Sequence, residues 1–230
     1  MTRRSPLTAP VTWPQARQRQ VACAAVSALL RYPDETLIGD LPLLEAAAGA
    51  LPGPIGGPLR QLISHLASVP LLDLQAAYVA TFDLRRRNCL YLSYYASGDT
   101  RRRGAALWRF QQAYRQAGFR PASSELPDYL PMLLELAASD DGETTAAGLL
   151  SEHRQGIRML GSALEASRSP YASAIRALEA ALPPAGPRLI TEAARLAREG
   201  PPAELVGLDP PDALAPYPAP ETARTGGQSS

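Results

Sequence analysis

The chain has two histidines, His65 and His153, and two cysteines, Cys23 and Cys89. These are the groups that would carry acid–base, nucleophilic or zinc chemistry. Their placement supports none of it. His65 has no Cys or carboxylate at metal-ligand spacing, and Cys23 and Cys89 are too far apart for a CxxC pair and too few for a disulfide framework. His153 falls among Leu149, Ile157, Leu160 and Leu164 on the apolar side of an expected helix, the position of a hydrogen-bonded core histidine rather than a base. No GxSxG, P-loop, GxGxxG or paired ExxH pattern occurs. No catalytic residue, metal or cofactor is therefore expected, and the chain reads as a non-enzyme.

What the sequence does concentrate is groups suited to holding another molecule. From residue 78 it reads Tyr-Val-Ala-Thr-Phe-Asp-Leu-Arg-Arg-Arg, then Cys89-Leu-Tyr-Leu-Ser-Tyr-Tyr, then Gly98-Asp-Thr-Arg-Arg-Arg-Gly. Tyr91, Tyr94 and Tyr95 offer rigid amphipathic faces of the kind enriched at protein interfaces. Arg85 to Arg87 and Arg101 to Arg103 flank them. Two plainer readings stand beside this one. The tyrosines can simply pack two helices together beneath a solvated arginine rim. Arginines interleaved with aromatics can also bind nucleic acid, but Asp83, Asp99, Glu125 and Asp128 lie among them and the net charge is only +1, which removes the broad positive field such binding uses. All 23 basic residues are arginine, a compositional bias that lowers the weight of any one of them.

Helices must position these groups. Hydrophobic residues are 46% of the 230, with much Ala and Leu and few β-branched or aromatic residues, so helix propensity is good and strand propensity poor. After a disordered lead-in over 1–12, Pro14 can open a helix bearing Val21, Ala25, Ala28 and Leu29 that stops near Tyr32-Pro33. Asp34 can cap a second helix with Leu37, Ile38, Leu41 and Leu44. Residues 51–58, with their prolines and glycines, read as a loop. Helices come next over 59–67 and 71–84, the second with a buried stripe of Leu74, Tyr78 and Phe82. The period is lost over 85–98. Asp99 or Thr100 can cap a long helix carrying Leu107, Phe110, Tyr114 and Ala117, ended by Gly118. Asp128 as cap would put Pro131 in the first turn of the next helix. One amphipathic helix is expected over 143–166, with shorter ones near 171–182 and 188–199. The result is an all-α, single-domain bundle of about eight to nine helices over 13–199, with a Pro-rich disordered tail over 200–230. Two isolated cysteines, and no apolar run approaching the ~20 residues of a membrane span, suggest a cytoplasmic protein with no direct membrane insertion.

The quoted segments, continued by Ala105-Ala-Leu-Trp-Arg-Phe-Gln-Gln-Ala-Tyr-Arg and Glu125-Leu-Pro-Asp-Tyr-Leu-Pro, closely resemble the NarJ-type chaperones, the nitrate reductase delta subunits, within the TorD-like redox-enzyme maturation chaperones. The likeness is strong over about 74–138. It is weaker at Leu29-Leu-Arg-Tyr-Pro-Asp-Glu and from Glu152-His-Arg to Leu182-Pro. The resemblance implies an all-helical TorD-like fold. It implies transient binding of the N-terminal segment of the apo catalytic (alpha) subunit of respiratory nitrate reductase in the cytoplasm. It further implies support for molybdenum cofactor and iron–sulfur insertion and for assembly of the membrane-bound complex. A chaperone of the same fold for a dimethyl sulfoxide or trimethylamine N-oxide reductase is the alternative. The wider family's Glu-x-Pro-Asp-His-Leu signature falls here on Glu125, Pro127, Asp128, Tyr129 and Leu130, with Tyr129 in place of the His of many relatives.

The expected site is a groove for an amphipathic helix, lined by Tyr78, Phe82, Tyr91, Tyr94, Tyr95 and Leu130. Asp83, Asp99, Glu125 and Asp128 would pair with basic residues of the bound segment. Arg101 and Arg102, with the first triplet, would meet acidic groups on the client body. Pro127 and Tyr129 belong to the same expected site through the signature. No nucleic-acid partner is expected, and the monomer is the favoured state.

Overall fold

The computed structural model describes residues 15–97, 102–119 and 125–182. Ten α-helices form there, with no strand among the described residues. The lead-in, the helix expected near 188–199 and the tail lie outside them.

In the first half the first three helices pack on one another. Helix α1 (Gln15–Leu29) buries Ala22, Cys23, Ala25, Val26 and Leu29. Asp34 caps α2 (Glu35–Gly49), its carboxylate accepting from the Leu37 N–H at 2.8 Å, which satisfies a donor the first turn leaves unpaired. Residues 53–58, expected to form a loop, are instead the first turns of α3 (Gly53–Ser68). Pro54 sits at the helix start, where its missing N–H costs nothing. Gly56 is there for packing: a Cβ would lie 2.1 Å from the Ala48 carbonyl oxygen, so only glycine lets α3 approach α2 this closely.

Helix α4 (Leu71–Tyr78) widens into a π turn over Val79–Asp83, and Leu74, Tyr78 and Phe82 are buried as the four-residue spacing predicts. The aperiodic stretch after it holds a 3₁₀ turn, Arg86–Asn88, and the short α5 (Leu92–Ser97). Helix α6 (Arg102–Gln116) ends at Gly118, whose φ of 77° is the left-handed stop expected of it. Helix α7 (Leu130–Ala138) comes next, with Pro131 in its first turn.

The helix expected over 143–166 is two. Helix α8 (Glu143–Glu152) and α9 (Arg154–Ala166) meet at His153, whose φ and ψ of −96° and 13° leave the helical region. With α5, this break raises the count above the eight or nine expected. Helix α10 (Ala172–Ala181) closes the described fold.

Helix α1 runs through the middle, packed on α7, α10, α2 and α3. The buried side chains from α1 through α10 form a continuous apolar cluster. Polar ties run along its edges: Arg19 to Glu143 at 2.7 Å and Gln20 to Asp140 at 2.8 Å join α1 to the start of α8, and Arg109 to Glu152 at 2.6 Å joins α6 to its end.

Candidate functional site

The residues expected to form one surface separate into three sets. Tyr78, Phe82 and Leu130 are core residues, only 5%, 8% and 0% exposed. They therefore do not line an open groove; hydrophobic burial against their neighbours wins over surface display. The Tyr78 ring packs against Phe82 at 4.7 Å and Tyr171 at 5.9 Å, and its hydroxyl donates to the Leu30 carbonyl at 3.0 Å. Burial, then the neighbouring Tyr129, pushes that hydroxyl's pKa well up, so it stays a neutral donor.

Asp128 and Pro127 are also buried. The Asp128 carboxylate does not cap its own helix, as the sequence suggested. Its Oδ2 accepts from the Ser93 N–H at 3.1 Å and the Ser93 hydroxyl at 2.5 Å, and so holds the start of α5. Main-chain bonds from Leu92 N–H to Asp128 and from Leu130 N–H to Leu90, 3.0 and 2.8 Å, lock the two segments antiparallel. Asp128 is thus a positioning residue beneath the surface and not a group that reaches a partner.

The second set is a small patch. Tyr91 donates to exposed Glu125 at 2.8 Å, its ring lies 5.3 Å from that of Tyr129, and the Arg103 guanidinium stands 6.0 Å over it. Burial and the Glu125 bond raise the Tyr91 pKa. Exposed Asp83 ends the π turn. Asp99 and Arg101 lie outside the described residues, and so does the side chain of Arg102, which begins α6.

The third set is the most open. Tyr94 and Tyr95 project from α5 toward α9, and with Arg85–Arg87 they wall a groove of about 1120 Å³ whose other side is α9. Its floor and far wall are Met159, Ala163 and Ala166, with Arg158 at the rim. Met159 is 48% exposed. The near wall is braced from within. The Tyr95 hydroxyl donates to the carbonyls of Arg87 and Cys89 at 3.0 and 2.9 Å, its pKa raised mainly by burial. The Asn88 amide donates to the Thr81 carbonyl at 2.8 Å. Gly156 lets Tyr95 sit against α9, since a Cβ there would lie 2.9 Å from the tyrosine's own Cβ.

The α9 wall is not among the residues the sequence singles out. A signal for it exists: opposite the buried Ile157, Leu160 and Leu164, residues Gln155, Met159, Ser162, Ala163 and Ala166 recur at helical spacing as a second, uncharged stripe. The flexible thioether of Met159 suits an adaptable contact.

His153 is buried, its Nδ1 2.9 Å from the Leu149 carbonyl and its ring 4.9 Å from Phe110. Burial lowers its pKa. Cys23 is buried and its thiol is pushed up to about 12, chiefly by burial. Among the described residues, no three His, Cys, Asp or Glu side chains are grouped so that they would hold a metal ion. No helix there is long and apolar enough to cross a membrane.

The architecture matches a crystal structure described as that of a candidate redox enzyme maturation protein from Archaeoglobus fulgidus, with a TM-score of 0.51 and 22% identity over 77% of this chain and 98% of that one. That likeness shows the fold. A family model for the nitrate reductase delta subunit matches residues 48–177, a span that contains the whole groove. The chain is 38% identical over 181 residues to the probable nitrate reductase molybdenum cofactor assembly chaperone NarJ of Bacillus subtilis (strain 168), covering 76% of this chain and 96% of that protein. It is 33% identical over 150 residues to the Escherichia coli (strain K12) nitrate reductase molybdenum cofactor assembly chaperone NarJ, covering 64% of this chain and 63% of that protein. This chain belongs to the nitrate reductase delta subunit family. Both of these relatives carry the names of assembly chaperones.

Proposed function

We propose that this protein is a cytoplasmic chaperone of nitrate reductase assembly. It binds the N-terminal segment of the apo catalytic subunit and keeps that subunit competent for molybdenum cofactor and iron–sulfur insertion before docking at the membrane. The relatives' names support the client, and the observation that carries the mode of action is the open groove between α5 and α9.

The physical case is one of shape and solvation. An amphipathic helix needs an apolar trough with anchors that desolvate its hydrophobic stripe. Tyr94 and Tyr95 supply rigid rings, Met159 a compliant thioether, and Ala163 and Ala166 the room for a helix to lie close. Exposed Asp83 and Glu125 lie outside the groove's lining, so basic residues of the segment would meet them only where it extends past the groove, setting its register more than its affinity. Release comes when the client folds around its cofactor and competes for its own segment.

Titration calorimetry with a synthetic peptide of the catalytic subunit's N-terminal segment tests this. Tyr94→Ala combined with Met159→Ala is expected to weaken binding by about tenfold or more, equivalent to about 1.4 kcal/mol per decade. The exposed Leu43→Ala on α2 should leave it unchanged. Equal affinities for all three proteins would rule the groove out as the client site.

A further inference from the structure

The groove combines an apolar floor with a basic rim. Arg85, Arg86, Arg87 and Arg158 stand around it, and no carboxylate among the described residues lines it. Arg158 also lies where the chain leaves the described fold. Its Nε is 3.6 Å from Glu179 Oε1, on the last turn of α10, which ends at Ala181. A smaller hollow of about 290 Å³, lined by Arg158, Ser162, Ile175 and Glu179 among others, runs from the groove to that helix. The path from the end of α10 to the groove is therefore short.

The stretch of sequence beyond α10 has the complementary composition. Residues 204–214 read Glu-Leu-Val-Gly-Leu-Asp-Pro-Pro-Asp-Ala-Leu, and no basic residue occurs between Gly200 and Ala223. Glu204, Asp209 and Asp212 match an arginine rim, and Leu205, Val206, Leu208 and Leu214 match a floor of tyrosine, methionine and alanine. Prolines narrow the conformations open to a free chain, so ordering this segment costs less than ordering a glycine-rich one.

We propose that residues 204–214 of this same chain occupy the groove in the resting protein and must be displaced by the client. The inference rests on the groove being the client site. Reach is ample with or without the helix expected near 188–199: a flexible chain as long as 183–203 would have a root-mean-square span on the order of 25 Å, and twelve helical residues alone would span about 18 Å. Tethering gives the segment an effective concentration of about 1 mM. A segment whose intrinsic dissociation constant is about 0.1–1 mM would then weaken client binding by about 2- to 10-fold. Part of that suppression is ionic and fades with salt.

Photo-crosslinking in the full chain tests this. A benzoylphenylalanine replaces Met159 in the groove or, as a control, Leu43, which is 69% exposed on α2. The expected result is a crosslink from position 159 to the tryptic peptide 199–224, at least fivefold above that from position 43 and independent of protein concentration. The triple change Glu204→Gln, Asp209→Asn, Asp212→Asn should reduce it. Equal yields from both positions, or a yield that rises with concentration, would overturn the proposal. Adding the client peptide separates the two readings. If the peptide crosslinks at position 159 and the tail does not, the client site stands and the tail contact falls. If the tail crosslinks and the peptide binds without displacing it, the tail contact stands and the client site lies elsewhere.

Discussion

The carboxylate of Asp128 and both polar groups of Ser93 form a buried knot that joins segments far apart in the chain, at 3.1 Å to the N–H and 2.5 Å to the hydroxyl. Arg103 adds to it by donating from Nε to the Ser93 hydroxyl at 3.2 Å. Removing the acceptor leaves two donors in a dry setting, so Asp128→Ala should cost about 2–4 kcal/mol. Asp128→Asn, which keeps one amide oxygen, should cost less. Urea denaturation midpoints measure this, and an alanine variant as stable as the parent would show that the knot does not hold α5.

Two glycines in neighbouring helices should respond oppositely to the same change. At Gly156 a Cβ would lie 2.9 Å from Tyr95 Cβ, whereas at Gly148 it would meet nothing within 4 Å. Gly156→Ala therefore forces the tyrosine and α5 outward, at about 1–3 kcal/mol, and should weaken peptide binding. Gly148→Ala should stabilise α8 by roughly 0.5–1 kcal/mol, the gap between the two residues in helix propensity. Thermal unfolding and calorimetry on the pair give both signs.

The buried imidazole sets a pH dependence. Burial holds His153 below its ordinary pKa of 6.5, so the unfolded chain binds the proton more readily than the folded one. The stability this group contributes is present above about 6.5 and is lost as pH falls below it, with a slope of at most about 1.4 kcal/mol per pH unit until the folded-state value is reached. Denaturation midpoints measured from pH 8 to 5 should show the parent losing more stability than His153→Gln over the same range. Parallel curves would remove His153 as the cause.

Local signals in the sequence are faithful wherever one helix turn decides the outcome. Asp34 as a cap, Gly118 as a stop, and the stripe of Leu74, Tyr78 and Phe82 are all settled by backbone geometry within a few residues. Signals fail where a distant segment intervenes. The glycines near residue 56 suggest a loop, but they serve the approach of α3 to α2. Asp128 reads as a cap for its own helix, yet Ser93 competes for its carboxylate. The aromatic run reads as one surface, and packing divides it: Tyr78 and Phe82 go inward, while Tyr94 and Tyr95 stay at the groove. The opposite wall is hard to see in the sequence because the buried stripe of α9 dominates its pattern. Its second stripe carries no charge or ring to mark it.

The groove's two walls come from distant parts of the matched family span, Arg85–Tyr95 on one side and Gln155–Ser167 on the other. Such a trough does not exist on a half-made polypeptide. While this protein is being synthesised, the trough stays absent until α9 has left the ribosome, so under the proposed function a nascent copy could not capture a client prematurely. A proteolytic fragment ending before α9 would lack the trough as well.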